Sequence, residues 1–245
     1  MNEPVRPNRL AVERWALIRA RKLGLPVPKV LSYANEAGEE SIYMQKILGE
    51  PLTHLSNRIR RKVFHDCGGQ LGKLLGGSFR DYGWVDPEKK SGTFENWSTF
   101  LISFVDRYGS TLISDGILTD RQVRRLKIKL GSLPTVKPTL IHRDLKPSNL
   151  LAKGGCLSGI LDWENAIIGD GLFDLAVLIA RLGLDSKDAA AARRGYEGKA
   201  GSVDDEKLNV YVPVVLIGEI AFRRRRGHPF STYARRLLIA INKIR

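Results

Sequence analysis

Cysteine is scarce in this chain. Only Cys67 and Cys156 occur among 245 residues, with neither a CxxC pair nor a histidine spacing that would make a zinc site. That excludes a disulfide scaffold and leaves the cytoplasm as the expected compartment. Long apolar runs are missing too: Leu175 to Leu184 and Val210 to Phe222 are interrupted by Arg181, Pro213 and Glu219, so no membrane span is expected. The opening residues, MNEPVRPNRL, lack the apolar centre of a secretory signal. Internal repeats and long low-complexity segments are absent. No aromatic residues interleave the basic clusters in the way a single-strand nucleic-acid platform requires.

What is present suits a folded globular protein, since a 43% hydrophobic chain of this length can bury a sizeable core as one large domain or two small lobes. The formal charge of +14 favours contact with nucleic acid, anionic lipid or anionic metabolites without proving any of them. Its clusters, Arg19 to Lys22, Arg58 to Lys62, Arg121 to Lys129 and Arg223 to Arg226, read as the wet faces of helices, so nucleic acid is not the favoured partner.

Along the chain, apolar residues at helical spacing (Leu10, Trp15, Leu17, Ile18) predict a helix over 10–23 that carries Glu13, with Asn8 as N-cap and Gly24 as its stop. Pro26 and Pro28 force an extended entry to a hairpin of Val30 to Ala34 and Ser41 to Met44. A helical pattern then runs from Pro51 to Phe79, weakened by Gly68, Gly69, Gly72, Gly76 and Gly77, since each interior glycine costs roughly 1 kcal/mol relative to alanine. Gly72 and Lys73 suggest a P-loop, but Cys67 and Leu74 stand where that motif needs glycine and Ser or Thr. Asp81 to Gly92 reads as a polar loop, Phe94 to Tyr108 and Asp120 to Leu130 as amphipathic helices, and 131–138 as a linker. Leu172 to Leu184, Lys187 to Arg194 and two segments from Leu208 onward read as further helices.

The stretch from Leu140 to Asp174 organises the rest. Gly154 and Gly155 between the apolar runs Leu150 to Ala152 and Leu157 to Leu161 predict a tight antiparallel hairpin. Such a turn returns Asp162 opposite Asn149, while Asp144 lies five residues earlier across a loop stiffened by Pro147. Three oxygen-bearing groups then share one sheet edge, which suits a hard cation such as magnesium. Taken singly, each is an ordinary cap or Asx-turn residue; their joint spacing is what points to chemistry.

HRDLKPSN (His142 to Asn149), LDWE (Leu161 to Glu164) and GDGLFDLA (Gly169 to Ala176) together resemble the catalytic core of the aminoglycoside phosphotransferase and choline kinase-like family. GLPVPKVL (Gly24 to Leu31) and YMQKILGEPL (Tyr43 to Leu52) extend the resemblance more loosely. The resemblance implies an α+β, protein kinase-like two-lobe fold, with residues 1–47 as a truncated N-terminal lobe and hinge and 48–245 as a mainly helical catalytic lobe. It implies an ATP- and Mg2+-dependent transfer to a small-molecule hydroxyl: an aminoglycoside, amino alcohol or sugar-like acceptor. By the same resemblance Asp144 is the base, Lys146 offsets phosphoryl charge, and Asn149 and Asp162 hold magnesium. His142 and Asp174 are supports. Gln45 carbonyl and Ile47 amide face the adenine between the apolar walls of Met44, Leu151 and Leu161, and Glu13 is the helix glutamate that pairs with a phosphate-binding lysine. Without the resemblance, His142 reads as structural, Asp170 as a turn residue and Trp163 as packing.

The same family places a glycine-rich strand pair and a lysine-bearing strand ahead of that glutamate. The residues before Glu13 contain neither glycine nor lysine, leaving Arg6 and Arg9 as the nearby cations. Two functions are therefore expected as alternatives: a phosphotransferase with a reduced or incompletely represented N-terminal lobe, or a pseudokinase-like module with a basic, polyanion-binding surface. The acidic stretch Asp185, Asp188, Glu197, Asp204, Asp205 and Glu206 would suit a cationic acceptor.

Overall fold

A computed structural model describes residues 9–36, 39–75 and 79–244. Helix α1 (Arg9–Lys22) turns Val12, Trp15, Ala16, Leu17 and Ala20 inward, whereas Ile18 remains 36% exposed. Gly24, at φ 77°, closes it. The expected cap Asn8 lies outside the described residues, as does Arg6. Strands β1 (Val30–Glu36) and β2 (Glu39–Met44) form the expected antiparallel pair, with Val30 opposite Met44.

Strand β3 (Glu50–Pro51) leads through a 3-10 turn at Leu52–His54 into α2 (Asn57–Leu74). The glycines that weaken the helical pattern of α2 have a packing reason. A Cβ on Gly68 would lie 1.9 Å from the Ala192 carbonyl oxygen, and one on Gly195 would lie 1.8 Å from that of His65. Helix α6 (Lys187–Ala200) therefore crosses α2 backbone against backbone, a contact that any side chain would prevent.

The polar segment 81–92 holds more order than its composition predicts. It contains strand β4 (Gly83–Trp84), and Tyr82 and Asp86 bridge to Phe94 and Ser91. Phe94 is thereby drawn into pairing, and helix α3 begins later, at Trp97–Ser114. A capping box of Thr119 and Gln122 starts α4 (Asp120–Gly131). Strands β5 (Thr139–Ile141) and β8 (Ile167–Gly169), too short to show an alternating pattern, join β4 in the order β4-β8-β5.

A second three-stranded sheet, β3-β6-β7, contains β6 (Leu150–Lys153) and β7 (Cys156–Ile160). Helix α5 (Leu172–Leu182) is buried at every position from Leu172 to Ala180 and packs against α6, α7 (Asp205–Arg225) and α8 (Ser231–Asn242). The result is the expected α+β kinase-like arrangement of small sheets against a helical body. Among the described residues, no helix is long and apolar enough to cross a membrane.

Candidate active site

The β6–β7 turn brings the polar residues together. Gly154 and Gly155 adopt φ 59° and 72°, the left-handed pair that a two-residue hairpin loop needs. A register shift between Leu151 and Ala152 then aligns Leu150 with Ile160, and Leu161 N–H donates to the Asn149 carbonyl at 2.8 Å. Asp162 follows at φ 66°, a conformation costly for a non-glycine residue. This turn carries its carboxylate back to the loop: Asn149 Nδ2 donates to Asp162 Oδ2 at 3.1 Å and to the Asp144 carbonyl at 3.0 Å. Lys146 Nζ lies 2.8 Å from Asp144 Oδ2 and 3.7 Å from Asp162 Oδ2. Asn149 and Lys146 thus each bridge Asp144 and Asp162, so the four residues expected at the phosphoryl-transfer centre form one connected group.

His142 and Asp174 lie beneath them. Arg143, at φ 68°, turns two successive amides toward α5, and Asp174 accepts both: His142 N–H at 2.7 Å and Arg143 N–H at 2.8 Å. Its position in the first turn of α5 also suits a carboxylate, because unpaired amides lie there. Burial nevertheless pushes its pKa up to about 7, with the two N–H donors and Arg181 acting the other way. His142 is fully buried with its ring against Trp163. Its Nδ1 accepts the Asp144 N–H at 3.1 Å and its Nε2 meets the Leu161 carbonyl at 2.8 Å, which assigns the proton to Nε2. Burial lowers its pKa to about 4, so the ring is neutral. Trp163 and Asp170 take the structural parts expected of them. Trp163 is buried, and Asp170 accepts Leu172 N–H, Lys207 Nζ and Tyr211 hydroxyl.

Arg181 and Glu219 join this constellation, although the sequence marks them only as interruptions of apolar runs. Arg181 Nη1 lies 2.6 Å from Asp144 Oδ1, and Nε donates to Glu219 Oε1 at 2.9 Å. Burial pushes the Asp144 carboxyl upward, but Arg181 and Lys146 outweigh it and hold the group below the usual carboxylate range. The usable signal is a charge that interrupts the apolar run from Leu175 to Leu184, since a buried arginine requires carboxylates.

The remaining expected residues surround this centre less closely. Glu13 Oε1 accepts Trp163 N–H at 3.3 Å; burial raises its pKa, opposed by that N–H and reinforced by the Asp162 and Glu164 carboxylates. Arg9 pairs with Glu164 at 2.9 Å. Gln45 N–H donates to the Lys29 carbonyl at 2.8 Å, and Met44 is 36% exposed at the end of β2. Ile47 and Leu151 meet over Gly159, where a Cβ would come within 3.2 Å of Ile47 Cδ1 and 3.3 Å of Leu151 Cδ1. Leu161 is half-buried beside Asp162.

Four of the six residues of the acidic stretch are engaged by neighbouring groups. Asp188 pairs with Arg60 at 2.8 Å, Glu197 and Asp205 pair with Arg193, and Asp204 accepts the Lys207 N–H that caps α7.

The small sheets, helical body and loop–hairpin centre define a protein of the kinase-like small-molecule phosphotransferase class. The chain belongs to the Phosphotransferase enzyme family, APH, which matches residues 4–208. No curated protein sequence matches it significantly. Among solved structures, a thermostable mutant of aminoglycoside phosphotransferase APH(4)-Ia, in ternary complex with AMP-PNP and hygromycin B, aligns with a TM-score of 0.76 at 17% identity, covering 96% of this chain and 83% of that one. The gentamicin complex of APH(2″)-IIa aligns with a TM-score of 0.60 at 17% identity, over 97% and 82% of the two chains. A provisionally named fructosamine-3-kinase from Haemophilus somnus 129PT aligns at 0.67 and 14%, over 99% and 81%. At these identities the likeness is one of fold.

Proposed function

We propose that this chain is an ATP- and magnesium-dependent phosphotransferase that moves the γ-phosphoryl group to a hydroxyl of a small molecule, with Asp144 as the base. The observation that carries the reading is the amide of Asn149, which spans the Asp144 carbonyl at 3.0 Å and the Asp162 carboxylate at 3.1 Å. Three groups that are separated in sequence thereby act as one unit. Asp144 would accept the proton of the acceptor hydroxyl as the new O–P bond forms and the bond to the ADP oxygen breaks. Its low affinity for protons is acceptable because the proton leaves late, as the phosphoryl group arrives. Lys146 would meet charge on the transferring group from its position beside both carboxylates.

The donor set at Asn149 and Asp162 fits magnesium, which takes oxygen ligands, needs few from the protein and completes its shell with phosphates and water. Among the described residues, no cluster of three or more His, Cys, Asp or Glu offers a competing metal site. Bound there, the ion would neutralise nucleotide phosphate charge. Met44, Gln45, Ile47, Leu151 and Leu161 would hold the adenine, and residues 1–47 and 48–245 would be the two lobes that close on it. AMP-PNP in the APH(4)-Ia complex supports a nucleotide donor, and the hygromycin B, gentamicin and fructosamine of the relatives support a polyhydroxylated amine as the acceptor class.

Against the binding-module alternative, two of the four basic clusters are partly neutralised, Arg58–Lys62 by Asp188 and Asp66 and Arg223–Arg226 by Glu219 and Asp115. The test is ATP turnover with amino sugars, choline, simple sugars and amino alcohols, with and without Mg2+. Asp144→Asn should lower kcat by about 10²- to 10⁴-fold, the usual contribution of a positioned base. Asp162→Asn should abolish the response to magnesium. Equal turnover in wild type and both variants would refute the reading.

A further inference from the structure

Arg181 is a cation that follows the apolar run Leu175–Ala180 of α5, and its side chain and that of Glu219 are only 15% and 13% exposed. Burying such a pair costs several kcal/mol in desolvation, so apolar residues of similar volume would hold α5 against α7 as well or better. The guanidinium instead divides its edges between two elements. Nη1 lies 2.6 Å from Asp144 Oδ1 and donates to the Leu145 carbonyl at 3.1 Å, while Nε and Nη2 both grip Glu219 Oε1. A planar fork held at both ends has little rotational freedom left.

The other oxygen of Asp144, Oδ2, faces Lys146 Nζ at 2.8 Å and Asn149 Nδ2 at 3.5 Å. One oxygen is thus tied to the buried Arg181 and the other faces Lys146 and Asn149. The anchor also reaches the last helices. Glu219 Oε2 lies 3.7 Å from Arg223 Nε, Arg223 stacks over Tyr233 of α8, and Arg236 of α8 donates to the Arg181 carbonyl at 2.7 Å.

We propose that Arg181, anchored by Glu219, is a positioning residue that fixes the direction of the Asp144 carboxylate and references it to α7 and α8. The inference rests on the phosphotransferase reading above. It requires the charge at position 181 to act on turnover while leaving nucleotide binding alone, because its contacts are to the base and not to the residues expected around ATP.

Arg181→Met combined with Glu219→Leu removes two of the three buried charges and leaves Asp144 with Lys146 as its counter-ion, so the melting temperature should fall but the variant should remain folded, and it is assayed below its own melting point with Asp144 freed of its clamp. With the acceptor panel above, kcat should fall by about 10²-fold, the order expected when a reacting group is misplaced by an ångström. KM for ATP, and ADP affinity measured by calorimetry, should stay within about threefold of wild type, the pattern of a group that acts in the transition state. Arg181→Lys, which restores a cation without the fork, should recover part of the lost kcat. A folded double variant with wild-type kcat, or one whose ADP affinity falls as far as its kcat, would overturn the positioning role alone. A wild-type protein inactive toward every acceptor would overturn the phosphotransferase reading and this inference with it.

Discussion

His142 should make the catalytic loop a source of acid sensitivity. The ring is fully buried, its Nδ1 accepts the Asp144 N–H, and its Nε2–H meets the Leu161 carbonyl. A second proton would destroy the Nδ1 acceptor and place a buried charge that the Asp144 and Asp162 carboxylates only partly offset. Burial accordingly lowers the folded pKa from 6.5 to about 4. Between those values the unfolded chain binds more protons than the folded one, so stability is fully present above 6.5 and is lost as pH falls through about 4. At 1.36 kcal/mol per unit, the full effect amounts to about 3 kcal/mol. Asp174 works in the opposite sense. Its folded pKa is raised to about 7, so its contribution is present below 3.8 and lost as pH rises through 7. The two partly cancel in the raw stability curve, and only a difference between variants isolates the histidine. His142→Gln keeps an amide acceptor and donor but has no titration of its own in this range. Urea unfolding of wild type and variant from about pH 7.5 to 4.5 should give a stability difference that shrinks, or reverses, by roughly 2 to 3 kcal/mol toward acid, because only wild type pays the linkage. A difference independent of pH would show that burial does not hold His142 neutral.

Two further outcomes test how the scaffold presents the site. Gly195→Ala drives a methyl group to 1.8 Å from the His65 carbonyl, so α6 must retreat from α2; a loss of about 1 to 3 kcal/mol in chemical denaturation is expected. Gly198→Ala on the same helix meets nothing within 4 Å and serves as the control, expected to be neutral or slightly stabilising. Thr119→Ala removes one half of the α4 capping box and should cost about 1 kcal/mol, read as a lower urea midpoint with an unchanged slope.

Most of the fold was legible because its signals are local. The prolines at 26 and 28, the Gly-Gly turn and the helical spacings each act within a few residues, and they place α1, the β1–β2 and β6–β7 hairpins, α4 and α5 near their expected bounds, whereas α3 and α6 run about six residues further and α2 is shorter at both ends. The failures share a cause. Strands β5 and β8 are three residues long and stabilised by one another across 25 intervening positions, from Ile141 to Ile167, so neither carries a pattern of its own. The glycines of α2 looked like helix breakers because their reason for being glycine lies on α6, more than a hundred residues away. In both cases tertiary contact overrides the local preference.

The site divides along the same line. Asp144, Asn149 and Asp162 were legible as neighbours because one loop and one hairpin bring them together, but their register was not: it depends on the shift between Leu151 and Ala152 and on the left-handed turn at Asp162. Arg181 and Glu219 were not, because their meaning depends on α5 and α7 crossing beside the loop. Their signal was nevertheless present in coarser form. A helix buried at every position from Leu172 to Ala180 cannot carry an arginine at its next residue without carboxylate partners, and the apolar run in α7 is broken by a single acid. Two apolar segments that each contain one charge of opposite sign are candidates to pack with those charges paired. On that rule Arg181 and Glu219 match from sequence alone, and the fold supplies only their third partner, Asp144.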